Sequence, residues 1–301
     1  MNYPDIAILN QRFGTPGRIA FRAGEAGLPI AALVNKAGSC EVSLYGGHVL
    51  GYRPTGHGPV LFLSKHSLFE PGKPIRGGVP ICWPWFGPHP DDKAQPVHGF
   101  ARLNQWELRA TEYTSETTEL RLALTDSELT RRVWPYAFEL TLRVWLDDKL
   151  NLELTTENRD ARPFTFTQGF HPYFLVRDIA AVAVHGLANA PFVNRLTGEH
   201  GRQEGALVIG AETDRLYTPP EPRCALLDAG LKRTLALAFS GTDKMVVWNP
   251  WIEKARAMKD FGDDEYTRML CLEPANAGEA AVTLAPGQRH ALTLSVQATL
   301  A

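Results

Sequence analysis

Apolar and polar positions alternate in short runs along most of the chain. Leu120, Leu122 and Leu124 alternate with Arg121 and Ala123, and Phe138, Leu140, Leu142, Val144 and Leu146 form a five-member series of period two. Leu150, Leu152 and Leu154 continue that series after Asp147-Asp148-Lys149. A period of two puts successive side chains on opposite faces, so these runs predict antiparallel strands with one buried face, joined at Asp147–Lys149 by a hairpin turn. Similar runs lie at Ile30–Val34, Cys40–Tyr45, Leu61–Ser64, Ile179–Val184, Leu235–Phe239, Met245–Trp248, Met269–Leu272, Ala281–Leu284 and Leu292–Ala298. Helix is attractive in one place, Glu253–Phe261, after the stop signal Asn249-Pro250-Trp251. Asn189–Glu204 reads as polar and turn-rich, and Asp214–Tyr217 as a loop ended by Pro219-Pro220. Strand–helix alternation is absent, which argues against a doubly wound α/β fold. The prediction is all-β, a large antiparallel β-sandwich with few short helices, spanning residues 1–301 as one domain because no linker-like stretch interrupts the pattern.

Two regions break the alternation. The first, Glu70–Arg102, is rich in proline and glycine, so neither a regular helix nor a central strand suits it. Trp83, Trp85 and Phe86 within it are costly to leave in water, which predicts a long ordered loop packed onto the scaffold. The second is Gly169-Phe170-His171-Pro172-Tyr173-Phe174, where a histidine sits between large apolar residues. Such a histidine is either a satisfied core residue or a group poised for proton transfer near neutral pH.

Composition narrows the function classes. Of 301 residues, 44% are hydrophobic and 21% charged, and 31 basic against 33 acidic side chains leave a formal charge of −2. That balance gives no general reason to expect nucleic acid or an anionic membrane as partner. Cys40, Cys82, Cys224 and Cys271 are scattered without a CxxC pair, as expected of free buried thiols in a reducing compartment. The opening Met1–Asp5 lacks the basic-then-apolar pattern of a secretion signal, and no apolar run reaches about 18 residues. The expected location is therefore cytoplasmic.

Candidate chemistry clusters at strand ends and in the unusual loops: Arg76, His98, Arg102, His171, Asp214 and Glu273. Glu273 ends an apolar run and precedes Pro274. A carboxylate there is either partly desolvated and a stronger base, or leaves the sheet edge for water. Arg76 and Arg102 suit an anionic group, or stack on Trp83, Trp85 or Phe100 at the surface. Asp214 beside Arg215 also suits a surface ion pair, and nothing fixes the direction of His89. None of the nine histidines is arranged as HExxH or HxH, so no metal site is assigned.

Taken in order, Arg76-Gly77-Gly78-Val79-Pro80, His98-Gly99-Phe100-Ala101-Arg102, Phe170–Phe174, Asp214-Arg215-Leu216-Tyr217, Val247-Trp248-Asn249-Pro250 and Cys271-Leu272-Glu273-Pro274 resemble the aldose 1-epimerase superfamily, and within it the hexose-6-phosphate branch. The resemblance implies a galactose mutarotase-like supersandwich with sugar in an open cleft, His171 and Glu273 as catalytic acid and base, His98 and Asp214 on the sugar, and Arg76 and Arg102 on a phosphate. Many relatives have threonine where Pro172 stands. The expected partner is a small phosphorylated sugar, most suitably D-glucose 6-phosphate; a monomer is expected and, because anomer exchange involves no redox step, no cofactor. Under this scheme each member of the pair favours the charged form of the other. The alternatives are an epimerase of uncharged sugars, a silent carbohydrate-binding protein, and a metal-dependent isomerase.

Overall fold

A computed structural model describes residues 3–300, so Met1 and Asn2 of the opening segment lie outside the described residues. Two eight-stranded sheets, every pairing antiparallel, form the sandwich. The backing sheet runs in the order Val182–His185, Arg223–Asp228, Arg233–Ser240, Arg289–Leu300, Leu150–Asn158, Phe138–Leu146, Thr118–Thr125 and Glu107–Tyr113. Its centre is the alternating meander predicted from sequence, with Leu146 paired to Leu150 across the Asp147–Lys149 turn. Leu140, Leu142, Val144, Leu152 and Leu154 are 0–1% exposed, while the residues between them face outward. Burying each such side chain contributes about 1.5–3 kcal/mol against the cost of ordering the chain.

The second sheet positions the site. Its order is His200–Arg202, Pro191–Asn194, Thr213–Tyr217, Met245–Asn249, Met269–Asn276, Gln168–Phe170 and Ile81–Cys82, with Tyr173–Leu175 also paired to Met269–Asn276. Period two divides its side chains. Phe170, Phe174, Val247, Leu270 and Leu272 enter the main core against the backing sheet. Tyr173, Val246, Trp248 and Cys271 belong to a second apolar cluster on the other face. A four-stranded antiparallel sheet, from Ile19–Ala23 to His48–Pro54, precedes both.

Four sequence expectations need correction. Helix Trp251–Ala257 lies within reach of the predicted segment, but Ile6–Phe13 and Glu128–Val133 are also helical. Their signals were in the caps: Asp5 accepts from Ala7 N at 2.7 Å, and Ser127 and Thr130 form a capping box. The polar stretch at 189–204 holds the hairpin Pro191–Asn194/His200–Arg202. Asp214 lies within a strand paired on both sides, because Pro219-Pro220 falls after the ladder ends. Finally, Met269–Asn276 does not stop at Glu273. Pro274 forgoes one amide donor there without ending the strand.

The Glu70–Arg102 segment is the predicted ordered loop. Trp83 is fully buried among Phe100, Trp134, Phe138 and Phe166. Its carbonyl accepts from Phe100 N and Ala101 N at 3.0 and 3.2 Å. Gly99 packs against that carbonyl at φ +72°, where a Cβ would lie 2.0 Å from the oxygen. One buried indole thus sets the backbone from which His98 and Arg102 project.

Candidate active site

Strand register explains why His171 and Glu273 meet. Tyr173 is paired with Cys271, and Gly169 with Ala275. The same register carried through the gap at His171-Pro172 sets His171 opposite Glu273. Directly opposed cross-strand residues have their Cβ atoms only about 4.5–5.5 Å apart. His171 Nε2 lies 3.4 Å from Glu273 Oε1, and both side chains are more than nine-tenths buried. The imidazole stacks on Tyr173 at 4.8 Å and 12°, and meets the edges of Trp248 and His98 at 5.7 and 5.4 Å. Its rotamer is held by rings on three sides.

Above the pair opens a cleft of about 520 Å³. All six sequence candidates line it: Arg76, His98, Arg102, His171, Asp214 and Glu273. Asp214 comes from the neighbouring strand, paired opposite Trp248, which is itself paired opposite Cys271. His98 has φ +65°, a strained conformation for a residue with a Cβ. Its Nδ1 accepts from Gly87 N at 3.1 Å, which places the proton of the neutral ring on Nε2 and makes that nitrogen a donor.

The two arginines are not stacked at the surface. Arg76 donates to both oxygens of Asp260 at 3.1–3.3 Å and to the Tyr173 hydroxyl at 2.9 Å. Arg102 is 7% exposed, donates from Nη2 to Val97 O at 2.7 Å, and leaves Nε without an acceptor. Among the described residues it makes no ion pair with a carboxylate. Asp214 pairs with Arg195 at 3.4 Å rather than with its neighbour Arg215, whose guanidinium lies over Phe192. His89 caps its own turn, accepting from Asp91 N and Asp92 N, outside the cleft lining.

Sequence reasoning missed Arg195, Trp248 and Lys254, which also line the cleft, and Asp260, which holds Arg76. Arg195 was hidden inside the polar hairpin. Lys254 sits on the exposed side of the short helix and Trp248 in an apolar run, so no local pattern distinguished them.

The electrostatics differ from the expected mutual stabilisation. Burial drives the Glu273 carboxyl well above the usual carboxylate range, with Asp214 adding to the effect and Arg195 and Arg102 opposing it. Burial also drives His171 well below the ordinary histidine value, aided by the positive charges of Arg102 and Arg76. Both shifts favour a carboxylic acid beside a neutral imidazole. Among the described residues neither Glu273 oxygen has a hydrogen-bond partner, an exception of the kind found at functional sites.

The aldose 1-epimerase family model matches residues 30–297. The chain belongs to that family. A Cenchrus ciliaris protein bearing the provisional name glucose-6-phosphate 1-epimerase is 39% identical over 261 residues, covering 82% of this chain and 78% of its own. An Escherichia coli K12 relative with the same provisional name is 35% identical over 239 residues, covering 79% of each. The crystal structure of the Salmonella typhimurium protein YeaD, described provisionally as a mutarotase, superposes with a TM-score of 0.88 at 31% identity, over 95% of both chains. For a member of the epimerase family, a cleft with a buried histidine and glutamate in contact on its floor is consistent chemistry. The surplus of guanidinium above that pair bears on which sugar enters.

Proposed function

We propose that this cleft interconverts the α and β anomers of a hexose 6-phosphate, most suitably D-glucose 6-phosphate, by general acid–base ring opening and closure. The observation that carries the reading is the His171–Glu273 contact of 3.4 Å at the floor of a cleft that also holds Arg102, a buried cation without a carboxylate partner. An uncharged sugar leaves that guanidinium uncompensated; a phosphate dianion compensates it with charge-assisted hydrogen bonds. Relatives provisionally named for glucose 6-phosphate support the same substrate class.

The resting protonation state fits this chemistry. A dianion arriving beside Arg102, Arg76 and Arg195 offsets the positive field that adds to burial in holding His171 neutral. One proton then passes from the Glu273 carboxyl to His171 Nε2, giving carboxylate and imidazolium without exchange with solvent. Glu273 removes the O1 proton as His171 protonates the ring oxygen, and the C1–O5 bond breaks to leave an open aldehyde. The pair is again acid and neutral imidazole at that stage, the state that burial favours. Rotation about C1–C2 presents the other carbonyl face. His171 then takes back the O5 proton while Glu273 returns one to O1. His98 Nε2–H and Asp214 are placed to hold sugar hydroxyls, with Trp248 supplying an apolar wall. No redox step occurs, so the scheme calls on no nicotinamide, flavin or metal. We read residues 1–301 as one such unit, since a single apolar core draws on residues from Leu9 to Val296.

The test is anomer exchange of glucose 6-phosphate and of glucose, each measured with and without the protein by exchange NMR. Acceleration with kcat/KM at least ~10-fold higher for the phosphorylated sugar is expected, an advantage of about 1.4 kcal/mol. Equal values would favour the uncharged-sugar alternative, and sugar binding without acceleration would favour the silent binding protein.

A further inference from the structure

Cys271 is a feature that the acid–base scheme does not use. It stands two residues before Glu273 on the same strand, hence on the same face, and opposite Tyr173 in the register. Its thiol is fully buried. The sulfur, a His171 ring nitrogen and a Glu273 oxygen all lie within 4.8 Å of one another. Nitrogen, sulfur and carboxylate oxygen are the donor set of tetrahedral zinc sites, with bonds of about 2.0–2.3 Å. Donors on tetrahedral bonds of that length are separated by roughly 3.3–3.8 Å, so the widest separation in the present triangle closes by at most about 1.5 Å, shared between two side chains. Among the described residues neither Glu273 oxygen accepts a hydrogen bond, which leaves that ligand available.

We propose that His171 and Glu273 of the cleft lining, with the fully buried Cys271 beside them, form an inhibitory site for a thiophilic divalent cation of the zinc and cadmium class. The bound ion occupies both members of the acid–base pair and stops mutarotation. The Cys271 thiol and the Glu273 carboxyl each release a proton to solvent as the ion enters. Thiolate, carboxylate and divalent cation then sum to zero, so no net charge is added beside Arg76, Arg102 and Arg195. The inhibition half of this proposal rests on the acid–base reading above, whereas the binding half does not.

The experiment titrates cadmium chloride and zinc chloride into the full-length metal-free protein. Cadmium should produce the near-ultraviolet charge-transfer band of a single thiolate ligand. Zinc should abolish glucose 6-phosphate mutarotation, and a chelator should restore it. Cys271→Ser should keep turnover within about threefold, lose the cadmium band, and need at least ~10-fold more zinc for half-inhibition, as expected when a ligand weakens. Cys224→Ser, a buried thiol elsewhere, should change nothing. Zinc-edge X-ray absorption on the wild-type protein covers the case in which Cys271→Ser misfolds; it should show one sulfur ligand. Absence of the band, its persistence in Cys271→Ser, or a zinc shell without sulfur would overturn the site. A cadmium band in a protein that does not accelerate mutarotation would uphold the metal site and sink the acid–base reading instead.

Discussion

Arg102→Gln isolates the role of the unpaired guanidinium. The side chain is 7% exposed, spends Nη2 on Val97 O at 2.7 Å, and leaves Nε without an acceptor. Glutamine retains an amide donor for Val97 O and removes the charge. If Arg102 binds the phosphate, the loss is one charge-assisted hydrogen bond set, about 1.5–3 kcal/mol net. At about 1.4 kcal/mol per factor of ten, KM for glucose 6-phosphate should rise roughly 10–100-fold. KM for glucose should stay within about twofold, since an uncharged sugar never used the interaction, while kcat for glucose should hold or rise because the variant relieves the positive field on His171. Folding stability should hold or improve, because a buried cation without a carboxylate contributes little and costs desolvation. Arg102 also lowers His171, so the pH optimum should move upward in the variant.

The assay is exchange NMR on the anomeric protons, at one pH, for both sugars and both proteins, with urea unfolding run in parallel. Arg76→Ala is the less informative change. It strands Asp260 and removes a donor from the Tyr173 hydroxyl, so binding and structure move together. The reasoning fails for Arg102 if both sugars lose activity equally, which would make the residue structural, or if neither changes.

Three further outcomes are expected. Glu273→Gln and His171→Asn should each lose at least ~100-fold in kcat with folding intact, the low end for removing a general acid or base; near wild-type turnover in either would end the assignment. His48 is buried, with Nε2 2.7 Å from Gly77 O, and burial lowers its pKa from 6.5 to about 4. A depressed histidine contributes stability above pH 6.5 and loses it as pH falls toward 4, here about 3 kcal/mol by linkage. His48→Gln should therefore flatten part of the acid limb of stability, read as urea midpoints between pH 7 and pH 4, and an unchanged limb would contradict it. Gly99→Ala at φ +72° should cost roughly 2–4 kcal/mol and most of the activity, checked by thermal unfolding and exchange NMR.

The parts of this fold legible in the sequence are those governed by local period. The meander from Leu120 to Leu154 announces itself because every second side chain is buried against one core. The tryptophan loop was legible for a different reason: three large aromatics among prolines must be buried somewhere, and no regular element was available to them. Asp214 was misplaced because two prolines just beyond a five-residue strand look the same as two prolines within a loop. The hairpin holding Arg195 carries little buried apolar area of its own, so its strands leave no alternation to read. Cap chemistry at Asp5 and Ser127 was present and was outweighed by the shortness of the helices.

What no local pattern contains is the register between Tyr173–Leu175 and Met269–Asn276. About a hundred residues separate the two segments, and a slip of one position would turn either His171 or Glu273 into the core. The alternation itself forbids that slip, because Leu270 and Leu272 must face the backing sheet, and so must Phe170 and Phe174. Satisfying both apolar sets at once leaves His171, Tyr173, Cys271 and Glu273 on the opposite face. Pro172 completes the arrangement by having no amide to offer the ladder at that point. The acid–base pair is thus placed by the demands of the apolar residues beside it. The charge state of the pair follows from the same burial, which favours carboxylic acid and neutral imidazole. Under the proposed function a dianionic substrate would do two things at once: satisfy Arg102 and relieve the part of His171's depression that the arginines cause. On this account phosphate contributes to kcat as well as to KM. Glucose supplemented with inorganic phosphate should therefore turn over faster than glucose alone, at phosphate concentrations that fill the arginine site. No acceleration at any phosphate concentration that displaces glucose 6-phosphate would confine the arginines to binding.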